Sequence, residues 1–120
     1  MSKVEKFEDL KVWQEGISLS IHVYQTFIKC RDFSLKDQLC RASVSVPSNI
    51  AEGFERHSNR DFIRFLRIAK GSSGELRTQI HIAVGIGLIS LEKGNDLISK
   101  TRQISAMLQN LIKTRETNFQ

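Results

Sequence analysis

Proline occurs once and glycine seven times in the 120 residues. An all-β fold needs frequent turn signals, so this scarcity argues against one. Cysteine occurs only at Cys30 and Cys40, with no CxxC spacing. Two such residues make neither a disulfide framework nor a zinc site, and they read as free thiols. No apolar run approaches the roughly 18 residues of a membrane-spanning helix. The N-terminal stretch MSKVEKFEDLK is charged and lacks the apolar core of a secretory signal. The expected location is therefore the cytoplasm, without membrane contact. His22, His57 and His81 are scattered and show neither HExxH nor ExxH spacing, so no metal site is expected. The serines around Pro47 lack a GxSxG elbow. KGSSGE lacks the pattern of a phosphate loop. RTQIH, with Arg77 and His81, does not match the RxxxxxH spacing of small helical-bundle ribonucleases of the HEPN class. No enzyme activity, cofactor or small-molecule substrate is expected.

What is present is helical periodicity. Leu10, Trp13, Ile17, Ile21, Tyr24 and Phe27 recur at three- and four-residue steps over about residues 9–29. A second segment spans 35–56, with Ser34 as its expected cap. A third spans 59–87, with Ser58 or Asn59 as cap and a stripe through Phe62, Phe65, Ala69, Ser73, Leu76, Ile80 and Ala83. A fourth spans 91–113 behind Ser90, with Leu97, Thr101, Ile104, Leu108 and Leu111 on one side. Short connections between long helices favour antiparallel neighbours. The expectation is a single all-α domain over 1–120, an antiparallel up-down-up-down four-helix bundle.

One stretch resists this reading. In RASVSVPSNIAEG, Ala42, Val44 and Val46 alternate with Ser43 and Ser45 like a strand. The longer pattern through Leu35, Leu39, Ala42, Val46, Ile50 and Phe54 is helical, so the segment is expected to be a helix kinked at Pro47. Its apolar arc covers roughly 200°, wider than one bundle core requires. Cys40, Val44, Pro47 and Ala51 form the surplus side. Two readings stay open: a deeply set helix, or a contact with another subunit. Ser45 and Ser48 are expected to face outward.

The chain carries a formal +5, and its isoelectric point is about 9.5. Residues 56–81 hold Arg56, Arg60, Arg64, Arg67, Lys70 and Arg77 against only Asp61 and Glu75. On a helical wheel Arg64 and Arg67 fall within roughly 40° of Arg60. Such a one-signed stripe attracts phosphates and releases their counterions. The plainer alternative is a solvated face paired with acids of neighbouring helices. Arg60, Arg64, Arg67, Lys70 and Arg77 are the candidate phosphate contacts, with Arg41 and Arg56 as second choices. No helix-turn-helix, zinc finger or RNP motif is visible, so contacts to the backbone should dominate. Gly71 and Gly74 lie near the stripe, either as tolerated weakness or as points where another backbone comes close.

Four motifs then carry a resemblance: FEDLKVWQEG (7–16), RASVSVPSNIAEGFER (41–56), FLRIAKGSSGEL (65–76) and MLQNLI (107–112). In this order they resemble the four-helix-bundle proteins encoded within intervening sequences of bacterial 23S ribosomal RNA genes, also called S23 ribosomal proteins. The chain is also similar to the accessory protein of diversity-generating retroelements. The resemblance implies a non-enzymatic homopentameric barrel, with Cys40, Val44, Pro47 and Ala51 at the subunit contact. It also implies a basic surface for nucleic acid, RNA more than DNA, and a possible protein partner such as a polymerase. The chain departs from the family pattern at Ser73, where leucine is usual, and at Gly74, where alanine is more usual.

Overall fold

The computed structural model describes residues 4–118. Among them are four α-helices: α1 (Lys11–Thr26), α2 (Phe33–Glu55), α3 (Asn59–Gly85) and α4 (Leu91–Asn118). A 3-10 turn, Phe7–Asp9, precedes α1, and the Gln14 side chain fastens the two by donating to the Glu8 carbonyl.

Local chemistry sets each boundary. The Asp32 carboxylate, not Ser34, accepts from the Leu35 amide at 3.1 Å and opens α2 two residues earlier than expected. Ser58 caps α3 through the Asp61 amide, and Ser90 caps α4 through the Lys93 amide. α3 stops at Gly85 rather than 87, because Gly87 turns left-handed at φ +81°. The Leu88 amide then reaches back to the Ala83 carbonyl at 2.9 Å, satisfying an end the helix would leave open. α1 ends at Thr26, ahead of a turn over 27–29. α4 runs five residues past the expected end, beyond its apolar stripe. Polar contacts of Arg115 and Glu116 with α3 hold that last turn.

α2 passes through Pro47 without a break, so the alternating stretch is helical. The bond that proline cannot donate would have gone to the Ser43 carbonyl. The Ser43 hydroxyl does not serve that carbonyl. It donates to the Cys40 carbonyl at 2.8 Å and meets Ser20 of α1 at 3.1 Å. Gly16 of α1 lies directly on the proline ring, where a Cβ would stand 3.3 Å from the Pro47 Cβ.

The inter-helix partners define the topology. Gly16 with Pro47 and Ser20 with Ser43 run α1 against α2. Ser45 with Ser72 and Gly53 with Phe65 run α2 against α3. Arg77 with Thr101 and Arg67 with Glu116 run α3 against α4. In each set the residue numbers rise on one helix and fall on the other, so neighbours are antiparallel. His22 with Lys100, at 3.0 Å, closes α4 onto α1. The result is an up-down-up-down bundle with extents of 46 × 21 × 19 Å.

Leu19, Val23, Phe27, Leu39, Val46, Ile50, Leu66, Leu76, Ile80, Leu97 and Leu108 are fully buried along its axis. α2 and α3 come very close at Gly53. A Cβ there would lie 2.6 Å from the Phe65 Cβ, so only glycine lets the helices cross at this distance. Three polar residues also sit fully buried in the core, Ser43, Ser73 and Thr101. Ser73 donates to the Thr101 carbonyl at 3.0 Å and accepts from Ser105 at 2.9 Å, which satisfies it across the α3–α4 seam. Ser45, expected to face outward, is half-buried because it bonds to Ser72 of α3 at 2.8 Å.

Candidate nucleic-acid interface

The arginines of the stripe separate into two groups. Arg56, at the end of α2, and Arg60, Arg64 and Arg67, in the first turns of α3, are exposed at one end of the bundle. The short connection through His57 brings α2 and α3 together there. Phe65 is the platform. Its ring is buried, and the Arg56 and Arg64 guanidiniums rest on it at 4.8 and 4.6 Å from its centre. Such cation–π contacts fix long side chains that would otherwise be mobile.

Carboxylates thread this cluster. Arg56 pairs with Glu52 at 3.2 Å and more loosely with Asp61 at 3.9 Å. Asp61 also faces Arg64, at 3.6 Å. Glu116, on α4, pairs with Arg67. Arg60 is exposed and takes no acid partner among the described residues. Exposed pairs of this kind are worth about 0–1 kcal/mol each, so they leave the guanidiniums open to exchange.

The second group serves the bundle itself. Lys70 is half-buried and donates to Gln109 of α4 at 2.7 Å. Arg77 is half-buried too. Its Nε donates to the Thr101 hydroxyl at 3.0 Å, and its Nη2 donates to the Ser105 hydroxyl at 2.8 Å. Both side chains are spent on α4 rather than offered to solvent. Arg41 is exposed and paired with Asp37 at 3.0 Å. It lies about 22 Å from Arg56 along α2, from the rise of the helix. The structure thus gathers Arg56, Arg60, Arg64 and Arg67, and leaves Lys70, Arg77 and Arg41 elsewhere.

One cation of this end escaped the sequence reading. Arg115 rests on the Phe62 ring at 4.9 Å and donates to Asn59 at 2.8 Å, extending the basic end onto α4. It lies past the apolar stripe of the fourth segment, so periodicity carried no sign of it.

The surplus apolar side of α2 is partly covered from within. Cys40 and Pro47 are buried in the chain, against α1, so little of either reaches the surface. Burial pushes the Cys40 thiol above its ordinary pKa, against the smaller effects of Lys36 and a hydrogen bond with Tyr24. Val44 stays 40% exposed and Ala51 half-buried. They line an open apolar groove of about 320 Å³ with Trp13, Ile17, Ile21 and Pro47. Tyr24, on α1, and Ile28, in the turn after it, are also exposed.

The family model described as 23S rRNA-intervening sequence protein matches residues 8–110. The chain belongs to that family. The 23S rRNA-intervening sequence match takes in α1 to α3 and most of α4, but ends before Arg115 and Glu116. Among solved structures, the chain is similar to a protein of unknown function from the S23 ribosomal protein family of Bacteroides thetaiotaomicron VPI-5482. The TM-score is 0.80 at 22% identity, over 86% of this chain and 99% of the other. At that identity the likeness bears on the four-helix fold alone. No curated protein matches the chain.

In this 23S rRNA-intervening sequence family member, Ser73 and Gly74 have different physical standing. Ser73 is built into the buried α3–α4 hydrogen-bond network. Gly74 faces open space, with nothing within 4 Å of a Cβ placed there. Among the described residues, no group of three His, Cys, Asp or Glu side chains is placed to hold a metal ion. No helix among them is long and apolar enough to cross a membrane.

Proposed function

We propose that this 23S rRNA-intervening sequence protein is a non-catalytic, oligomeric nucleic-acid-binding protein of the cytoplasm, acting on structured RNA more than on DNA. Arg56, Arg60, Arg64 and Arg67 hold backbone phosphates. The observation that carries the reading is their convergence on one exposed end, with two of them seated on Phe65 and Arg60 free of any acid among the described residues. Guanidinium forks match phosphate oxygens bidentately, which suits arginine to this task. No base-reading element accompanies them, so recognition is of shape and backbone. Lys70, Arg77 and Arg41 take no part in that surface. Copies of the chain associate through the groove around Val44 and Ala51, and a homopentameric ring is the arrangement that the family resemblance suggests.

The test is fluorescence anisotropy of a labelled, structured ribosomal RNA fragment across a salt series. Wild type is compared with Arg60→Glu/Arg64→Glu/Arg67→Glu, after light scattering confirms equal oligomer mass. The wild type should lose affinity steeply with salt, by about 0.9 in log–log slope per phosphate neutralised on a duplex. The triple variant should not bind. Equal binding by both, or no binding by the wild type at low salt, overturns the reading. The open groove favours one second reading, a scaffold that docks a partner such as a polymerase. Its sign would be salt-insensitive binding to a protein, lost on Val44→Asp, with no affinity for RNA.

A further inference from the structure

The arginine end is already occupied by the chain's own carboxylates. Asp61 sits between two guanidiniums, with one oxygen 3.6 Å from Arg64 and the other 3.9 Å from Arg56. A tight carboxylate–guanidinium contact is about 2.7–2.9 Å, so both pairs are loose. The loose fit has a cause. Asp61 is fixed in the first turn of α3, where its amide bonds to Ser58. The two guanidiniums are fixed on the Phe65 ring. The Asp61 carboxylate thus spans both guanidiniums without closing tightly on either. Glu116 reaches across from α4 to take Arg67. Between them, these two acids engage three of the four arginines of the cluster.

We infer that Asp61 and Glu116 are built-in competitors for phosphate, so that nucleic acid binds by exchange of phosphate for carboxylate. The inference rests on the function proposed above and adds its regulation. A backbone phosphodiester carries its two charged oxygens farther apart than a carboxylate does and is not tethered to α3, so it can meet Arg56 and Arg64 together. The exchange breaks one set of ion pairs as it makes another. Affinity is therefore held down, and fewer counterions are released than four free arginines would release. Arg60, exposed and without an acid among the described residues, is the point of first contact.

The experiment measures anisotropy of a fluorescein-labelled RNA hairpin between about 50 and 200 mM salt. Wild type is compared with Asp61→Asn/Glu116→Gln, whose amides keep shape and lose charge. A control, Glu75→Gln/Glu92→Gln, makes the same change in net charge at exposed acids that hold no arginine. Circular dichroism melts check that all are folded. The first double variant should bind roughly fivefold to tenfold tighter, and its salt slope should steepen by about 1 to 2. The control should stay close to wild type. If both double variants gain equally, the effect is net charge and the inference is overturned. If the first matches wild type while Arg60→Glu/Arg64→Glu/Arg67→Glu abolishes binding, the carboxylates do not compete, although the phosphate surface stands. If the arginine triple variant binds like wild type, the surface and its competitors fall together.

Discussion

Gly71 and Gly74 give a stability test whose sign the structure sets. Both lie inside α3, and a Cβ built on either meets nothing within 4 Å. Alanine there loses no space and relieves a helix of its worst residue short of proline, a gain of about 0.8–1 kcal/mol at each site. Gly71→Ala/Gly74→Ala should therefore stabilise by about 1.5–2 kcal/mol. Unfolding entropy for 120 residues is about 0.25 kcal/mol/K, so the melting temperature should rise by about 6–8 °C. Gly53→Ala is the matched opposite. The propensity gain is the same, but the new Cβ would stand 2.6 Å from the Phe65 Cβ and 3.3 Å from the Phe62 ring. A Cβ is fixed to its backbone and cannot swing aside, so α2 and α3 must part. Overpacking costs about 1–3 kcal/mol and also loosens the Phe65 platform, so the net change should be a loss. Thermal melts at one protein concentration decide both. A lower melting temperature for the α3 double variant, or a higher one for Gly53→Ala, refutes the reasoning. A stabilised double variant with altered oligomer mass or RNA affinity would mark the two glycines as a point where a partner approaches.

Two further substitutions test single residues. His57 holds φ at +56° in the turn between α2 and α3, a region that disfavours any side chain, so His57→Gly should gain about 0.5–1 kcal/mol. A lower urea midpoint would instead mean that the imidazole is held by something worth more than the strain. Arg77→Met should lose about 1.5–3 kcal/mol, because it strips charged donors from Thr101 and Ser105. RNA affinity measured well below the melting temperature should not change, and a fall in affinity without a fall in stability would return Arg77 to the phosphate surface.

Period and caps made most of the fold legible, and the misses share a cause. The alternation of Ala42, Val44 and Val46 spans three apolar positions, whereas the three- and four-residue steps persist from Leu35 to Phe54, so the longer pattern decided. Asp32 and Ser34 are equally good caps by type, so sequence alone does not choose between them. Ser73 and Thr101 fall on the expected stripes and are buried, but the α4 partners that satisfy Ser73 are what periodicity within one segment cannot see. The same blindness applies to the cations. A wheel places Arg77 off the apolar face, but it does not say that small Thr101 and Ser105 lie opposite and leave room for its stem. Nor can it find Arg115, whose ring and amide partners, Phe62 and Asn59, are on α3.

The size of the arginine end also constrains how the protein could work. From Arg60 to Arg67 is about 10 Å along α3. One strand of a duplex advances about 3.4 Å per phosphate, so the cluster spans about three phosphates. Three of its four arginines begin in carboxylate pairs, which lowers the return on each contact. A single copy would therefore hold RNA weakly. Copies joined through the groove around Val44 and Ala51 would each present the same end. Once the first is engaged, the others bind at a raised effective concentration, and modest sites multiply into strong binding without any new contact. The carboxylate pairs then set a threshold. A stray phosphate meets one guarded site and gains little, whereas a structured RNA that spans several sites displaces several carboxylates together. On this argument the two proposals depend on each other: the guarded cluster is adequate only in an oligomer, and the oligomer discriminates only if the cluster is guarded.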